Sequence, residues 1–430
     1  MKGILMSFDV RWFSAIAVVT GLTATVLRGA EPALPLRFDF GATQAVAGYT
    51  QVASDTAYSE DRGFGFEPGG EIRSVQRAGS DPVKSDFCTS DKPFGFSVKL
   101  PEGNYRVTVV LGDTEGESDT SIRAETRRLM LKDVRTSGGA FKSCKFAVNV
   151  RNSRIGDKGS VKLNDREKLA LHWDDKLTLG FSGGRPCVCS VEIAAAPDAV
   201  TVYIAGDSTV TDQLKEPWAG WGQMLPCFFD DKVAVANHAE SGRALSSFRN
   251  ENRLEKILSQ IKRGDYLLIQ FGHNDQKEKG PNVGAFTTYK QSLKQYIAAA
   301  RERGATPVLI TPMHRRRFDD SGHVVNSLGD YPEAVRQTAQ EDGVALIDLN
   351  AMSKTFYESL GVEGSKKAFV HYPANTFPGQ DQTLKDDTHF NEFGAYELAK
   401  CVVRGMVAAR LDLVHHLREP AQATTADSLK

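Results

Sequence analysis

Net charge is almost absent from this chain: 53 Lys and Arg against 54 Asp and Glu leave a formal charge of −1 over 430 residues. Such a balance excludes the broad basic footprint of a nucleic-acid binder, so no nucleic-acid partner is expected. Any acidic substrate must then be met by a local patch. Cysteine is sparse and late. None precedes Cys88, so no thiol is available near the N-terminus for lipid attachment, and the six present (Cys88, Cys144, Cys187, Cys189, Cys227 and Cys401) lack zinc-site spacing. Cys187 and Cys189 stand two apart on an expected strand, where both face one side and pair poorly with each other. An even number permits disulfides in an exported protein without requiring them. Internal repeats and low-complexity tracts are missing as well. The N-terminal apolar run, Trp12 to Leu27, is short for the roughly 20 residues a membrane span needs, so stable membrane insertion is not expected.

That run has another meaning. Lys2 and Arg11 precede it and Arg28-Gly29-Ala30 follows it, the order of a secretory signal: basic start, apolar middle, small residue at the cut. A signal peptide over 1–30 is therefore expected, with a secreted or periplasmic product, although Arg28 is unusual three residues before the cut. At the other end, the polar stretch 419–430 reads as a disordered tail.

What lies between is long enough for two domains, each with its own core. From about Leu36 to Ala196, short alternating segments are separated by Gly, Asp and Ser turns. Leu36–Phe40, Tyr105–Leu111, Phe146–Val150 and Val188–Ile193 all read as strands, and no segment reads as a convincing helix. This predicts an all-β sandwich or jelly roll over 31–196, with Ala195-Ala196-Pro197-Asp198 as a linker. Tyr49 and Trp173 are two aromatics through which such a domain would bind sugar if they were exposed; packing into the core is the commoner fate of such side chains. After Val200 the rhythm changes. Apolar strands at Val202–Ile204, Val233–Ala236, Tyr266–Phe271, Val308–Thr311 and Ala345–Leu349 alternate with helical stripes, among them Phe286, Tyr289, Leu293, Ile297 and Ala300. Alternation of this kind predicts a parallel sheet wrapped by helices over 200–418, with chemistry at the C-terminal strand ends.

Four short pieces fall at such ends or in loops. Ser208, in Gly206-Asp207-Ser208, follows a buried strand and offers a hydroxyl, which needs a base to become a nucleophile. His389 is the candidate base, because Asp386, three residues earlier, can reach its second ring nitrogen and fix its tautomer. The competing reading of Asp386 is a cap for the final helix, expected from Asn391 to about Leu411. Asn274 brings a side-chain amide, Gly242 a bare backbone N–H, and Ser208 its own N–H, together an oxyanion hole. Asp207, His273 and Asp275 read as anchors of their turns. The run His314-Arg315-Arg316-Arg317 follows a strand on the same sheet edge. Arg315, Arg316 and Arg317 are candidates for holding a carboxylate of the substrate, since guanidinium meets carboxylate through two parallel hydrogen bonds.

Gly206-Asp207-Ser208, Gly242, Gly272-His273-Asn274-Asp275 and Asp386 with His389 resemble the four blocks of the SGNH, or GDSL-type, hydrolases. Closer wording in Tyr203–Thr211, Trp221-Gly222-Gln223, Gln270–Asp275 and Asp387–Gly394 is similar to the rhamnogalacturonan acetylesterases of carbohydrate esterase family 12. The resemblance covers roughly 201–411, about half the chain. It implies a flavodoxin-like three-layer α/β domain, with Ser208 as nucleophile, His389 as base, Asp386 as its partner, and Ser208, Gly242 and Asn274 as oxyanion hole. Thr209 stands where the broad motif often has leucine, in agreement with the narrower group. The β-rich half resembles, through much weaker motifs, the galactose-binding-like modules attached to such esterases. The implied activity is removal of acetyl groups from an acetylated pectic polysaccharide or oligosaccharide, with no metal and no cofactor. Two other kinds of function stay open: another acyl hydrolase on this framework (xylan acetylesterase, lipase-like esterase or thioesterase), and a non-catalytic carbohydrate-binding protein.

Overall fold

In the computed structural model the described residues are 33–41 and 45–418. The expected signal peptide, 1–30, and the expected tail, 419–430, lie outside them. The first half is a β-sandwich. One sheet of seven strands includes Leu36–Phe40, Gly103–Gly112, Phe141–Val150 and Val188–Ala195; the facing sheet has five, Phe64–Phe66, Phe94–Lys99, Lys176–Arg185, Ser118–Ala124 and Arg128–Thr136 in the spatial order 64, 94, 176, 118, 128. Their inner faces meet in a core rich in phenylalanine, with Phe38, Phe40, Phe66 and Phe96 packed ring to ring. Alternation produced this: in Gly103–Gly112 the inward Tyr105, Val107, Val109 and Leu111 are buried while Arg106, Thr108 and Val110 face outward.

The second half is a five-stranded parallel sheet. Its spatial order is Val233–Asn237, Val200–Gly206, Tyr266–Gln270, Thr306–Ile310, Ala345–Ile347, the 2-1-3-4-5 order of a flavodoxin-like fold. Helices cover both faces, so the strands read as continuous apolar runs. Val202, Ile204, Leu268 and Val308 pack on the side of Trp221 and the helix Glu392–Ala408; Tyr203, Ala205, Leu267 and Leu309 pack on the side of Lys290–Glu302 and Tyr331–Asp342. Two expectations need correction. Phe286 fits the helical stripe but is 45% exposed, because Ala285–Tyr289 winds as a π-helical turn before the α-helix begins at Lys290. The last helix spans Glu392–Ala408 and is capped by Asn391, whose side chain accepts from Gly394 N.

The two halves are joined through more than a linker. Ala196, in the expected linker, and Ala199, just after it, are buried, and the described residues form one compact unit. Arg128 of the sandwich is buried against Asp212 at 3.2 Å and donates to Val235 O; Arg151 donates to Asn237 O; Glu167 takes both arms of Arg253 at 2.6 and 2.7 Å. Trp173 is also buried, its ring under the Arg151 guanidinium at 4.7 Å, so it packs the junction and offers no sugar platform.

Candidate active site

The sheet order decides where the site falls. In a 2-1-3-4-5 sheet the chain leaves in opposite directions from the first and third strands, opening a crevice beyond their C-terminal ends. Ser208 follows the first strand and Asn274 the third, on either side of that crevice. Ser208 sits in a tight turn: Val210 N and Thr211 N both donate to Asp207 O at 3.1 Å. Asp207 is fully buried and accepts from Thr209 N at 2.9 Å and Thr209 Oγ1 at 2.7 Å. Thr209 Oγ1 in turn accepts from Gln270 Nε2, and Gln270 Oε1 accepts from Trp221 Nε1 at 2.8 Å. A leucine at 209 would break this chain, so the threonine there has a structural reason. Asp207 anchors the turn, as its position suggested.

His389 and Asp386 lie on Leu384–Phe390, a strand paired antiparallel with Phe369–Tyr372. Asp386 does not cap the final helix. Its Oδ2 is 2.7 Å from His389 Nδ1, and its Oδ1 accepts from the backbone N–H groups of Thr388 and His389 at 2.9 and 3.0 Å. Burial pushes this carboxyl up, but those donors and the nearby imidazole outweigh burial and hold it at about 2. An ionised carboxylate can only accept, so Nδ1 carries the proton and Nε2 is left as an acceptor. His389 Nε2 faces Ser208 Oγ at 2.8 Å. Serine, imidazole and carboxylate thus form one continuous hydrogen-bonded line.

Beside it, Gly242 has φ +80°, a conformation that costs other residues strain, with open space around its α-carbon. Asn274 is fixed at both ends of its amide: Nδ2 donates to Arg243 O at 3.1 Å, and Lys277 Nζ donates to Oδ1 at 2.9 Å. That leaves one Nδ2 hydrogen unassigned beside Ser208 and Gly242, with which Asn274 shares a cavity. Asp275 holds the loop, accepting from Leu245 N and Gly272 N at 2.9 Å; burial pushes its carboxyl up to about 7. His273 is buried beneath, and desolvation keeps its imidazole well below its ordinary value.

The cavity over Ser208 measures about 810 Å³ and includes Trp218, Leu214, Ser241, Thr388 and four cationic side chains: Arg166, Lys215, Lys277 and Arg315. Among the described residues its one acidic lining group is Asp386, already engaged by His389. The three expected arginines separate here. Arg315 lines the cavity and also donates to Ser327 O and His273 O. Arg316 turns away into an ion pair with Asp387 and bonds to Ser365 and Val362; Arg317 is exposed and lines no part of the cavity. Adjacent residues after a strand point in different directions, so the run could not act as a block. Arg166, Lys215, Lys277 and Trp218 were missed. Trp218, close before the Trp221-Gly222-Gln223 block, offered a signal; Arg166, from the other half, offered none. Among the described residues no cluster of three or more His, Cys, Asp or Glu side chains is arranged to hold a metal ion.

The line of three residues beside an amide and a free backbone N–H is equipped for acyl transfer. Comparison with known proteins agrees with that class. The model of the GDSL-like lipase/acylhydrolase family matches residues 204–395, and that of the β-agarase/YXIM esterase-like, galactose-binding domain-like family matches 36–153. Rhamnogalacturonan acetylesterase RhgT of Bacillus subtilis (strain 168) is 45% identical over 220 residues, 51% of this chain and 94% of that protein. The probable rhamnogalacturonan acetylesterase YesY of the same organism is 39% identical over 221 residues, 50% of this chain and 96% of that protein. The uncharacterized esterase YxiM, also from that organism, is 29% identical over 413 residues, 92% of this chain and 97% of that one. The chain belongs to the GDSL-like lipase/acylhydrolase family and is a carboxylic ester hydrolase.

Proposed function

We propose that this protein is a carbohydrate acetylesterase that deacetylates an acidic pectic polysaccharide, rhamnogalacturonan first among candidates. The observation that carries the proposal is the line Ser208–His389–Asp386, at 2.8 and 2.7 Å, opening into a cavity with four cations. The names of RhgT and YesY support the same substrate class. In this reading Ser208 Oγ attacks the acetyl carbonyl while its proton passes to His389 Nε2, and Asp386 stabilises the imidazolium. Negative charge on the carbonyl oxygen is met by Ser208 N, Gly242 N and the free hydrogen of Asn274 Nδ2. As the tetrahedral intermediate collapses, the sugar hydroxyl leaves with the proton from His389, and the acetyl group stays on Ser208. Water then attacks the acetyl-enzyme, its proton taken by His389, releasing acetate and restoring the hydroxyl. The half-buried Trp218 indole gives a sugar ring an apolar face to lie on. The basic and apolar order of the first 30 residues supports action outside the cytoplasm.

Acetate release from acetylated rhamnogalacturonan, acetylated homogalacturonan and acetylated xylan tests the reading. Rhamnogalacturonan is expected to give the highest kcat/KM. Preference for xylan would reject the acidic substrate, and no release from any glycan would leave only a generic esterase.

A further inference from the structure

Of the four cations over Ser208, one comes from outside the α/β half. Arg166 belongs to the loop between the Phe141–Val150 and Lys176–Arg185 strands of the sandwich, yet it lines the same cavity as Ser208 and His389. Its place is built from both sides. Asn164 and Glu167 bond each other reciprocally, Glu167 N to Asn164 Oδ1 at 3.0 Å and Asn164 N to Glu167 Oε2 at 3.1 Å, which fixes the turn that carries Arg166. Both flanking residues are then tied to the α/β half: Asn164 Nδ2 donates to Glu240 at 3.3 Å, and buried Glu167 takes both arms of Arg253. Arg166 Nη2 pairs with Glu240 as well. Glu240 N donates to Gly206 O, and Ser241 and Gly242 come next in the chain. The Arg166 guanidinium is therefore held beside the loop that supplies Gly242.

The other three cations are poorly suited to read a carboxylate by its shape. Arg315 spends donors on two backbone carbonyls, Lys277 is engaged by Asn274, and Lys215 is an exposed point charge. Arg166 presents a planar fork of five N–H donors of which Nη2 is engaged by Glu240, and its side chain is 44% exposed. RhgT and YesY, each accounted for almost whole by a match to about half of this chain, have no length for a second module of this size.

We infer that Arg166, carried by the N-terminal β-half, binds a uronate carboxylate of the glycan and gives the active site its selectivity for the charged substrate. This rests on the acidic-glycan reading above. The test compares acetate release from acetylated rhamnogalacturonan oligosaccharides with free galacturonate carboxylates and from the same oligosaccharides after methyl esterification. The wild type should favour the free acid. Arg166→Ala should cut that preference about ten-fold, mainly through KM on the free acid, as expected for losing one charge-assisted pair in a half-exposed site. Arg166→Lys should recover part of it by restoring the charge. Because Arg166→Ala leaves Glu240 without its cation, Arg166→Gln with Glu240→Gln provides a second variant without an orphaned charge, and it should lose the preference equally. Equal loss on both substrates, an unchanged preference in both variants, or loss of the preference in Lys215→Ala instead would overturn the inference while leaving the substrate reading intact. A wild type indifferent to esterification would overturn the acidic-glycan reading itself, and the inference with it.

Discussion

Two carboxyl groups in this protein stand at opposite ends of the titration scale, and the contrast explains how its two charged clusters work. Asp386, at the candidate active site, is held at about 2; Glu125, in the buried junction between the halves, is pushed up to about 8. Both are penalised by burial. Asp386 overcomes the penalty with two backbone N–H donors and an imidazole in contact. Glu125 has one backbone donor, Thr178 N at 3.2 Å, and its nearest cation, Arg128, stands 3.9 Å away and is shared with Asp212. Depth of burial and the imidazole in contact make the difference: the Asp386 side chain keeps 30% of its exposure and has His389 at 2.7 Å, whereas buried Asp275, with two backbone donors, is still pushed up to about 7. Asp386 is held ionised beside His389, whereas burial pushes the junction carboxyl toward its neutral form.

The same isosteric change at the two positions should therefore have opposite consequences. Asp386→Asn turns an acceptor into a group that can present N–H to His389, so the imidazole takes the wrong tautomer. A fall in kcat of about four orders of magnitude is expected, read by acetate release. Next in size is a stability effect at the junction. Arg253→Ala strands buried Glu167 and should cost about 3–5 kcal/mol in urea denaturation. If the loss is under about 1 kcal/mol, the halves are less tightly bonded than the buried pair implies. Asn274→Ala removes one oxyanion donor and should lower kcat by about two to three orders of magnitude with a smaller change in KM.

The pH dependence of stability sharpens the contrast most. Between the ordinary glutamate value, 4.5, and about 8, folded Glu125 keeps a proton that the unfolded chain has lost. Stability from this group is full below 4.5 and falls as pH rises, by at most about 1.4 kcal/mol per unit across that window. Glu125→Gln should flatten this slope and leave activity alone; an unchanged slope would mean that Glu125 is ionised in the fold. Asp386 has the reverse sign: its contribution is present above 3.8 and disappears as pH falls toward 2.

The parallel strands were legible because, covered on both faces, they had no choice but to be continuously apolar. The meeting of Ser208, His389 and Asp386 was legible because acyl transfer would need those groups; Ser208 and Asn274 follow the ends of the first and third strands of the parallel sheet. The strand that carries His389 was not. Leu384–Phe390 is half charged and pairs with a single neighbour, so its sequence reads as loop. Arg166 was hidden for a different reason: it reaches the cavity through the Glu167–Arg253 and Asn164–Glu240 contacts, which join distant parts of the chain and leave no local pattern. The arginine run shows the converse, since proximity in sequence placed only Arg315 at the cavity.

In the proposed reaction the acetyl group passes to Ser208 Oγ. Rapid quenching of the reaction with 4-nitrophenyl acetate, followed by digestion and mass spectrometry, reads this directly. The prediction is one acetyl group on the Ser208 hydroxyl during turnover, absent from Ser208→Ala, which should also lose about three orders of magnitude or more in rate. Turnover with the acetyl group on another residue, or a Ser208→Ala variant that keeps a tenth of the wild-type rate, would contradict it.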